Sequence, residues 1–158
     1  MNKVEQVILK LMGWLLAILI FVMTIDIFAA VIVRYVLHTA LNFSEELGRY
    51  LFVWIVFLGM ARCVAGSKHV ALDLLPHALK GTAGKVLQTV IDLLCIFFFF
   101  SLTRAGIALC EVGARQRSAT MRIPMNFIYL CIPICGILSI FFMILKIYRL
   151  YKKEEQTI

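Results

Sequence analysis

Charged residues are scarce in this sequence, and many of those present stand at the edges of long apolar runs. They make up 16% of the 158 residues, whereas 63% are hydrophobic. An ordinary soluble domain is about half apolar and about a quarter charged. The composition therefore indicates a protein embedded in lipid rather than a soluble domain. We predict a single membrane domain over residues 1–158, because this length leaves no room for a second domain.

Patterns that bind cofactors or carry catalysis are also missing. The sequence contains no P-loop, dinucleotide fingerprint or nucleophile–base arrangement, and its five cysteines form no CxxC pair. All three histidines lie outside the apolar runs, whereas a membrane cytochrome needs histidine at membrane depth. We expect no enzyme activity, no cofactor and no metal site. The net charge of +7 does not indicate nucleic acid, because Lys and Arg stand at the ends of apolar runs.

Four apolar runs are long enough to cross a membrane, at about residues 11–33, 45–65, 86–103 and 123–145. Each is near the roughly 20 residues that a transmembrane helix needs. We therefore predict an all-α integral membrane bundle of four transmembrane helices. We also expect Ser44 to be the N-cap of the second helix. Pro124 is expected in the first turn of the fourth helix, which Pro133 should kink.

The distribution of lysine predicts the orientation in the membrane. With four spans, every lysine falls on the side that holds both termini and the middle loop. Cytoplasmic loops are enriched in Lys and Arg, so both termini should be cytoplasmic. The middle loop, residues 66–85, interleaves apolar residues with His69 and Asp73 and is compatible with a short helix along the membrane interface between spans 2 and 3. The other side holds six arginines and no lysine: Arg34, Arg49, Arg104, Arg115, Arg117 and Arg122.

Two acids, Asp26 and Asp92, interrupt the apolar runs. A charge within the hydrocarbon layer costs at least about 2.5–3.5 kcal/mol on insertion scales, so each deserves a functional hypothesis. Asp26 should lie near the outer end of span 1 and Asp92 nearer the cytoplasmic end of span 3, and neither has an evident partner in the sequence. Asp26 is either a proton or cation site or a residue that fixes helix packing.

The densest polar cluster beside a span covers residues 42–50. Glu45 and Glu46 point about 100° apart on a helix, so they do not form a shared acid–base pair. Glu45 and Arg49 have the spacing of a helical ion pair. The cluster is either a capped helix start with one salt bridge or a docking surface for a partner protein, and the two are compatible. The candidates for a partner interface are Arg34, Glu45, Glu46, Arg49, Tyr50 and Trp54.

Three stretches of the chain resemble the small membrane subunit of tripartite ATP-independent periplasmic (TRAP) transporters, the DctQ-like family. The most distinctive combines VRYV at residues 33–36, FSEELGRYLFVW at 43–54 and VFLG at 56–59. HVALDLLP at 69–76 is similar to the family's H-x3-D segment after span 2, with His69 and Asp73 at the two ends of the motif. The third stretch has Ile-Pro at 123–124, Tyr129 and Ile-Pro-Ile at 132–134.

This resemblance implies a subunit of a bacterial inner-membrane permease, surrounded by membrane lipids and bound to a larger membrane subunit that carries the substrate and sodium sites. A periplasmic binding protein would deliver the substrate, an organic acid such as a dicarboxylate, sialic acid or another sugar acid. The small subunit would brace the large one. Arg34, Glu45, Glu46 and Arg49 would hold the outer ends of the spans against the partner or present charge to the binding protein.

Two other functions remain open from the residues themselves. One is a self-sufficient four-span transporter that uses Asp26 as its proton-coupled acid. The other is a membrane anchor for a redox enzyme, although histidine and paired cysteine are missing from the apolar runs.

Overall fold

The computed structural model describes residues 3–39, 42–66 and 82–155, and most of these residues are helical. Arg117 and Pro124 form an isolated β-bridge. Helices α1 to α3, and α4 together with α5, are each long and apolar enough to cross a membrane, which confirms the predicted all-α membrane fold. The helices are α1 (Lys3–Val36), α2 (Asn42–Ala65), α3 (Thr82–Gly113), α4 (Asn126–Tyr129) and α5 (Cys131–Glu155).

The start of α2 differs from the prediction. The helix begins at Asn42, so Ser44 lies inside it and is not its N-cap. The buried Ser44 hydroxyl instead donates a hydrogen bond to the main-chain carbonyl of Asp26, at 3.4 Å. Just before α2, His38 has a φ of 52°, the left-handed conformation that ends many helices. The chain thus turns sharply after α1 and brings the first turn of α2 against α1.

The other helix ends also depart from the apolar runs. Helix α3 continues past Thr103 to Gly113. The more polar stretch that follows the apolar run is therefore also helical. Pro124 is paired with Arg117 rather than placed in a first helical turn, so that prediction was wrong. The helical interruption in the fourth span lies at Leu130 rather than at Pro133. Proline lacks the N–H that would bond the carbonyl four residues earlier, which explains a break one turn upstream.

The four spans pack as an open row rather than as a closed bundle. Helix α1 packs against α2, α2 packs against α5, and α5 packs against α3, with no packing between α1 and α3 in the described residues. The core of the row lies where α2, α3 and α5 meet. Helix α1 contributes one buried residue, Met12, and packs Ile8 and Leu9 against this core. Cys135 is fully buried in this core, and Cys131 is also fully buried. The two outer helices of the row are therefore α1 and α3.

Small residues allow α3 and α5 to approach each other closely, as is typical of helix pairs in membranes. A Cβ atom at Gly106 would lie 2.8 Å from side-chain atoms of both Ile132 and Pro133. A Cβ atom at Gly136 would overlap the Thr103 hydroxyl. The same helix pair holds an ion pair at the end where the lysines cluster, which we call the Lys-rich end.

Asp92 of α3 has a partner that its sequence neighbourhood does not reveal. Its Oδ1 accepts hydrogen bonds from Gln88 Nε2 at 3.1 Å and from Lys146 Nζ of α5 at 3.3 Å. The Asp92 side chain is 1% exposed and that of Lys146 is 22% exposed. A buried carboxylate needs a counter-ion and hydrogen bonds to offset its desolvation. The pair therefore links α3 to α5.

Replacement of Lys146 by Met should destabilise the protein strongly, because it leaves the buried Asp92 without its counter-ion. Removal of one partner of a buried pair costs about 3–5 kcal/mol. We expect a lower thermal unfolding midpoint in detergent than for Arg104→Met, which removes an exposed cation from α3. The double variant Asp92→Asn/Lys146→Met should recover much of the loss. Equal midpoints for Lys146→Met and Arg104→Met would contradict a stabilising role for the pair.

Candidate functional site

The candidates for a partner interface gather on one side of the membrane, at the helix ends where the arginines cluster. We call this side of the protein the Arg-rich end. Arg34 lies in the last turn of α1, and Glu45, Glu46, Arg49 and Tyr50 occupy the first turns of α2. Arg34, Glu45 and Arg49 are exposed, whereas Glu46, Tyr50 and, one turn further into the span, Trp54 are half-buried.

The side chain of Glu46 binds main-chain amides in the connection between α3 and α4. The two carboxylate oxygens accept hydrogen bonds from the amides of Ala119 (3.1 Å), Thr120 (3.0 Å) and Met121 (2.9 Å). Tyr50 Oη donates a further bond to Glu46 at 2.6 Å. Successive amides that converge on one anion form a nest. Glu46 is therefore the residue that holds this connection against the start of α2.

The connection has internal order of its own. The Ser118 amide donates to the carbonyl of Ile123 at 2.9 Å, and the Ile123 amide donates to the Ser118 hydroxyl at 3.3 Å. Between them, Arg122 has a φ of 53°, which allows the chain to reverse. The result is a short hairpin-like turn whose tip surrounds the Glu46 carboxylate.

Glu45 is paired across helices rather than along its own helix. Its Oε1 lies 3.2 Å from Nη2 of Arg34, with both side chains more than 60% exposed. The spacing of Glu45 and Arg49 allows a pair along α2, but Glu45 pairs with Arg34 because the turn after α1 brings Arg34 within reach. An ion pair this exposed contributes at most about 1 kcal/mol, so it orients the two side chains more than it stabilises the fold.

A cavity of about 470 Å³ opens between α1 and α2 at this end. Met23 and Ile27 line its deeper part, while Arg34, Glu45 and Arg49 lie toward the Arg-rich end. The cavity thus combines an apolar interior with charged side chains at one end.

Asp26 lies beside this cavity, with its carboxylate directed at α2. Its Oδ2 is buried without a hydrogen-bond partner and would lie 3.7 Å from a Cβ at Gly48. The hydrogen bond from Ser44 reaches its main-chain carbonyl rather than its carboxylate. No group of three potential metal ligands from His, Cys, Asp and Glu occurs in the described part of the chain. Asp26 also lies toward the Arg-rich end, whereas Asp92 lies toward the Lys-rich end.

Two sequence candidates cannot be placed in this geometry. His69 and Asp73 lie in residues 67–81, which fall outside the described residues, as does most of the segment expected to follow the membrane interface. Sequence reasoning missed the amides at 119–121 and the Asp92 partner Lys146. Main-chain donors leave no signature in a sequence, and no local spacing rule links residues 54 positions apart.

Glu46→Gln should loosen the connection between α3 and α4, because an amide oxygen is a weaker acceptor than a carboxylate. We expect hydrogen exchange at residues 119–121 to accelerate by about tenfold. The matched control is Glu45→Gln, which removes a neighbouring carboxylate with an exposed partner and should leave these amides unchanged. Unchanged exchange in Glu46→Gln would show that the turn holds its shape without the carboxylate.

Several known proteins are similar to this chain. It is 23% identical over 138 residues to a Haemophilus influenzae protein named as a TRAP transporter small permease protein, covering 87% of this chain and 86% of the other. It is 24% identical over 152 residues to the sialic acid TRAP transporter small permease protein SiaQ of Vibrio cholerae, covering 96% and 83%. It is 29% identical over 132 residues to the sialic acid TRAP transporter permease protein SiaT of Haemophilus influenzae, covering 84% of this chain but 21% of SiaT.

A family match covers most of the chain. Residues 23–153 match the family described as tripartite ATP-independent periplasmic transporters, DctQ component. The matched range contains all three stretches that carry the sequence resemblance, from Val33 to Ile134. It also contains α2 with Glu46 and the connection that Glu46 holds. The chain therefore belongs to the DctQ component family of TRAP transporters.

Proposed function

We propose that this chain is the small permease subunit of a sodium-driven TRAP transporter that takes up an organic acid across a bacterial inner membrane, with both termini in the cytoplasm. It braces a large permease subunit, which carries the substrate and sodium sites, and helps to dock a periplasmic binding protein. Family membership supports the transport role. The names of SiaQ and SiaT support sialic acid or a related acid as the substrate class. Sodium coupling follows from the family resemblance.

The open row of helices is the observation that carries the bracing role. None of the most apolar stretch of α1 is buried, against 44% of the corresponding stretch of the fourth span. Phe21 of α1 is 67% exposed and Phe97 of α3 is 70% exposed. A row with this much uncovered apolar surface can lie along a second membrane protein without rearrangement, while lipid covers the rest.

The acids within the spans favour a supporting role over independent transport. Transporters gather polar groups and broken helices near the middle of the membrane to form a substrate site. Here Asp92 is neutralised by Lys146 near the Lys-rich end, and Asp26 lies toward the other end on a different helix. Self-sufficient proton-coupled transport through Asp26 is accordingly disfavoured.

The similarity to SiaT supports a lasting association with a larger permease. The region similar to this chain makes up only about a fifth of SiaT. In that protein, the similar region is thus covalently part of a much longer permease. A separate small subunit of the same family would hold its larger partner through non-covalent packing instead.

The Arg-rich end has the charge and order expected of a docking surface. It carries six arginines, all of them exposed, and Glu46, one of the few acids there, is occupied by the amides of the turn. A binding protein with acidic groups on its docking face would meet a surface already shaped by that turn. Complementary charge of this kind raises the rate of association and weakens with salt.

Uptake by reconstituted vesicles tests the function. Vesicles containing this chain, its large permease subunit and the binding protein should accumulate radiolabelled sialic acid or dicarboxylate under an inward sodium gradient. Vesicles that lack any one component should not accumulate it. Uptake by this chain alone would overturn the bracing role, and uptake by the full set without sodium would overturn the coupling.

A charge reversal tests the docking surface separately. Arg115→Glu with Arg117→Glu should slow uptake by about tenfold at limiting binding protein, because steered association depends on complementary charge. Saturating binding protein should restore much of the rate. The control Arg115→Lys with Arg117→Lys keeps both charges and should behave as the unchanged protein. If the Glu variant transports normally at limiting binding protein, docking occurs elsewhere even though the transport role stands.

A further inference from the structure

A second cavity lies between α1 and α2, at the Lys-rich end. Its volume is about 370 Å³, and it is lined by Lys10, Gly13, Trp14, Ala17 and Arg62. The guanidinium of Arg62 crosses from α2 and occupies the space where a Cβ at Gly13 would lie. The glycine therefore allows Arg62 to reach across α1 and share the cavity with Lys10.

The two cations of this cavity have no counter-ion within it. Among the described residues, neither the ammonium group of Lys10 nor the guanidinium group of Arg62 lies within ion-pair or hydrogen-bond distance of a partner. Glu5, the acid closest to Lys10 along α1, is 4% exposed and does not line the cavity. The two positive charges are both exposed. The cavity therefore has a site for an anion but no anionic group of its own.

Apolar surface lies directly beside the cations, on the side toward the membrane interior. Trp14 is 65% exposed, and Ile18 and Phe21 continue the exposed apolar face of α1 at 55% and 67%. Gly59 of α2 is on the same helical face as Gly48, because eleven residues bring a helix back to nearly the same direction. Within the described part of the chain, no heavy atom of a neighbouring segment lies within 4 Å of a Cβ at Gly59, so the space beside α1 remains open there.

We propose that this cavity binds an anionic phospholipid. The phosphate lies between Lys10 and Arg62, Trp14 lies at the level of the headgroup, and an acyl chain follows the exposed face of α1 toward Phe21. Basic pockets between transmembrane helices bind anionic headgroups, and tryptophan is enriched at the membrane interface. Charge at the membrane surface with apolar surface beneath it matches a phospholipid better than an acidic protein segment. The site depends neither on the transported substrate nor on sodium coupling.

The position of Trp14 provides a direct test. The full chain carries two tryptophans, so Trp54→Phe leaves Trp14 as the only one. This protein is placed in nanodiscs of phosphatidylcholine containing a small fraction of brominated phosphatidylglycerol, or the same fraction of brominated phosphatidylcholine. Bromine quenches tryptophan fluorescence only at short range. We expect stronger quenching by brominated phosphatidylglycerol, and the difference should shrink as salt is raised.

The variant Lys10→Gln with Arg62→Gln removes the two cations in the same background. Each Lys or Arg near an anionic membrane surface favours binding by about fivefold. The preference for phosphatidylglycerol, measured by titrating its fraction, should therefore fall by about tenfold or more. Arg104→Gln with Arg115→Gln removes two charges elsewhere and should retain the preference. Lys10→Arg with Arg62→Lys should also retain it, which separates loss of charge from loss of folding.

Two results would overturn the proposal. One is equal quenching by the two brominated lipids in the protein with both cations. The other is a preference for phosphatidylglycerol in this chain alone that disappears when the chain is reconstituted with its large permease subunit, because a protein segment would then occupy the cavity in the transporter. Neither result would bear on uptake by the complete transporter.

Discussion

Three successive main-chain amides donate to the carboxylate of Glu46, and the arrangement of the Arg-rich end depends on this contact. It joins the first turn of α2 to the chain between α3 and α4. Tyr50 reinforces the joint, since its hydroxyl contacts both Glu46 and the sulfur of Met125. On the other side of α2, Glu45 contacts Arg34 of α1. One helical turn thus contacts α1 on one side and the connection between α3 and α4 on the other, and it positions the exposed arginines of these segments.

The Arg-rich end and the Lys-rich end are stabilised by different kinds of polar contact. At the Arg-rich end, a carboxylate is satisfied by main-chain donors close to water. At the Lys-rich end, Asp92 is withdrawn from solvent, and one of its two carboxylate oxygens accepts hydrogen bonds from Gln88 and Lys146. Between these polar contacts, the close approach of α3 and α5 at Gly106 and Gly136 allows side chains and main chain to pack without intervening gaps. The two cavities described above both open along the interface of α1 with α2.

Contacts between residues far apart in the sequence are the part of the structure that the sequence did not predict. The four spans follow from apolar run length alone, because lipid demands about 20 apolar residues whatever the surrounding fold. Helical spacing makes Arg49 a possible partner of Glu45, yet Arg34 of the neighbouring helix is the residue that pairs with it. Ser44 has the chemistry of an N-cap, but its hydroxyl bonds a carbonyl of α1 because α2 starts earlier. The amides that hold Glu46 and the Lys146 partner of Asp92 come within reach only once separate helices have packed. Composition also does not distinguish a row from a closed bundle.

The ion pair of Asp92 and Lys146 has a consequence for biosynthesis. The two residues are 54 positions apart, and a ribosome that adds roughly 5–20 residues per second needs about 3 to 11 seconds to make that length. During this interval, α3 enters the bilayer with an acid whose counter-ion has not yet been translated. Asp92 lies about one third of the way along α3. It can therefore stay near hydrated headgroups while the apolar remainder of α3 inserts. We therefore expect the acid to be sealed from water only when α5 arrives, so that the third and fourth spans complete their insertion as a pair.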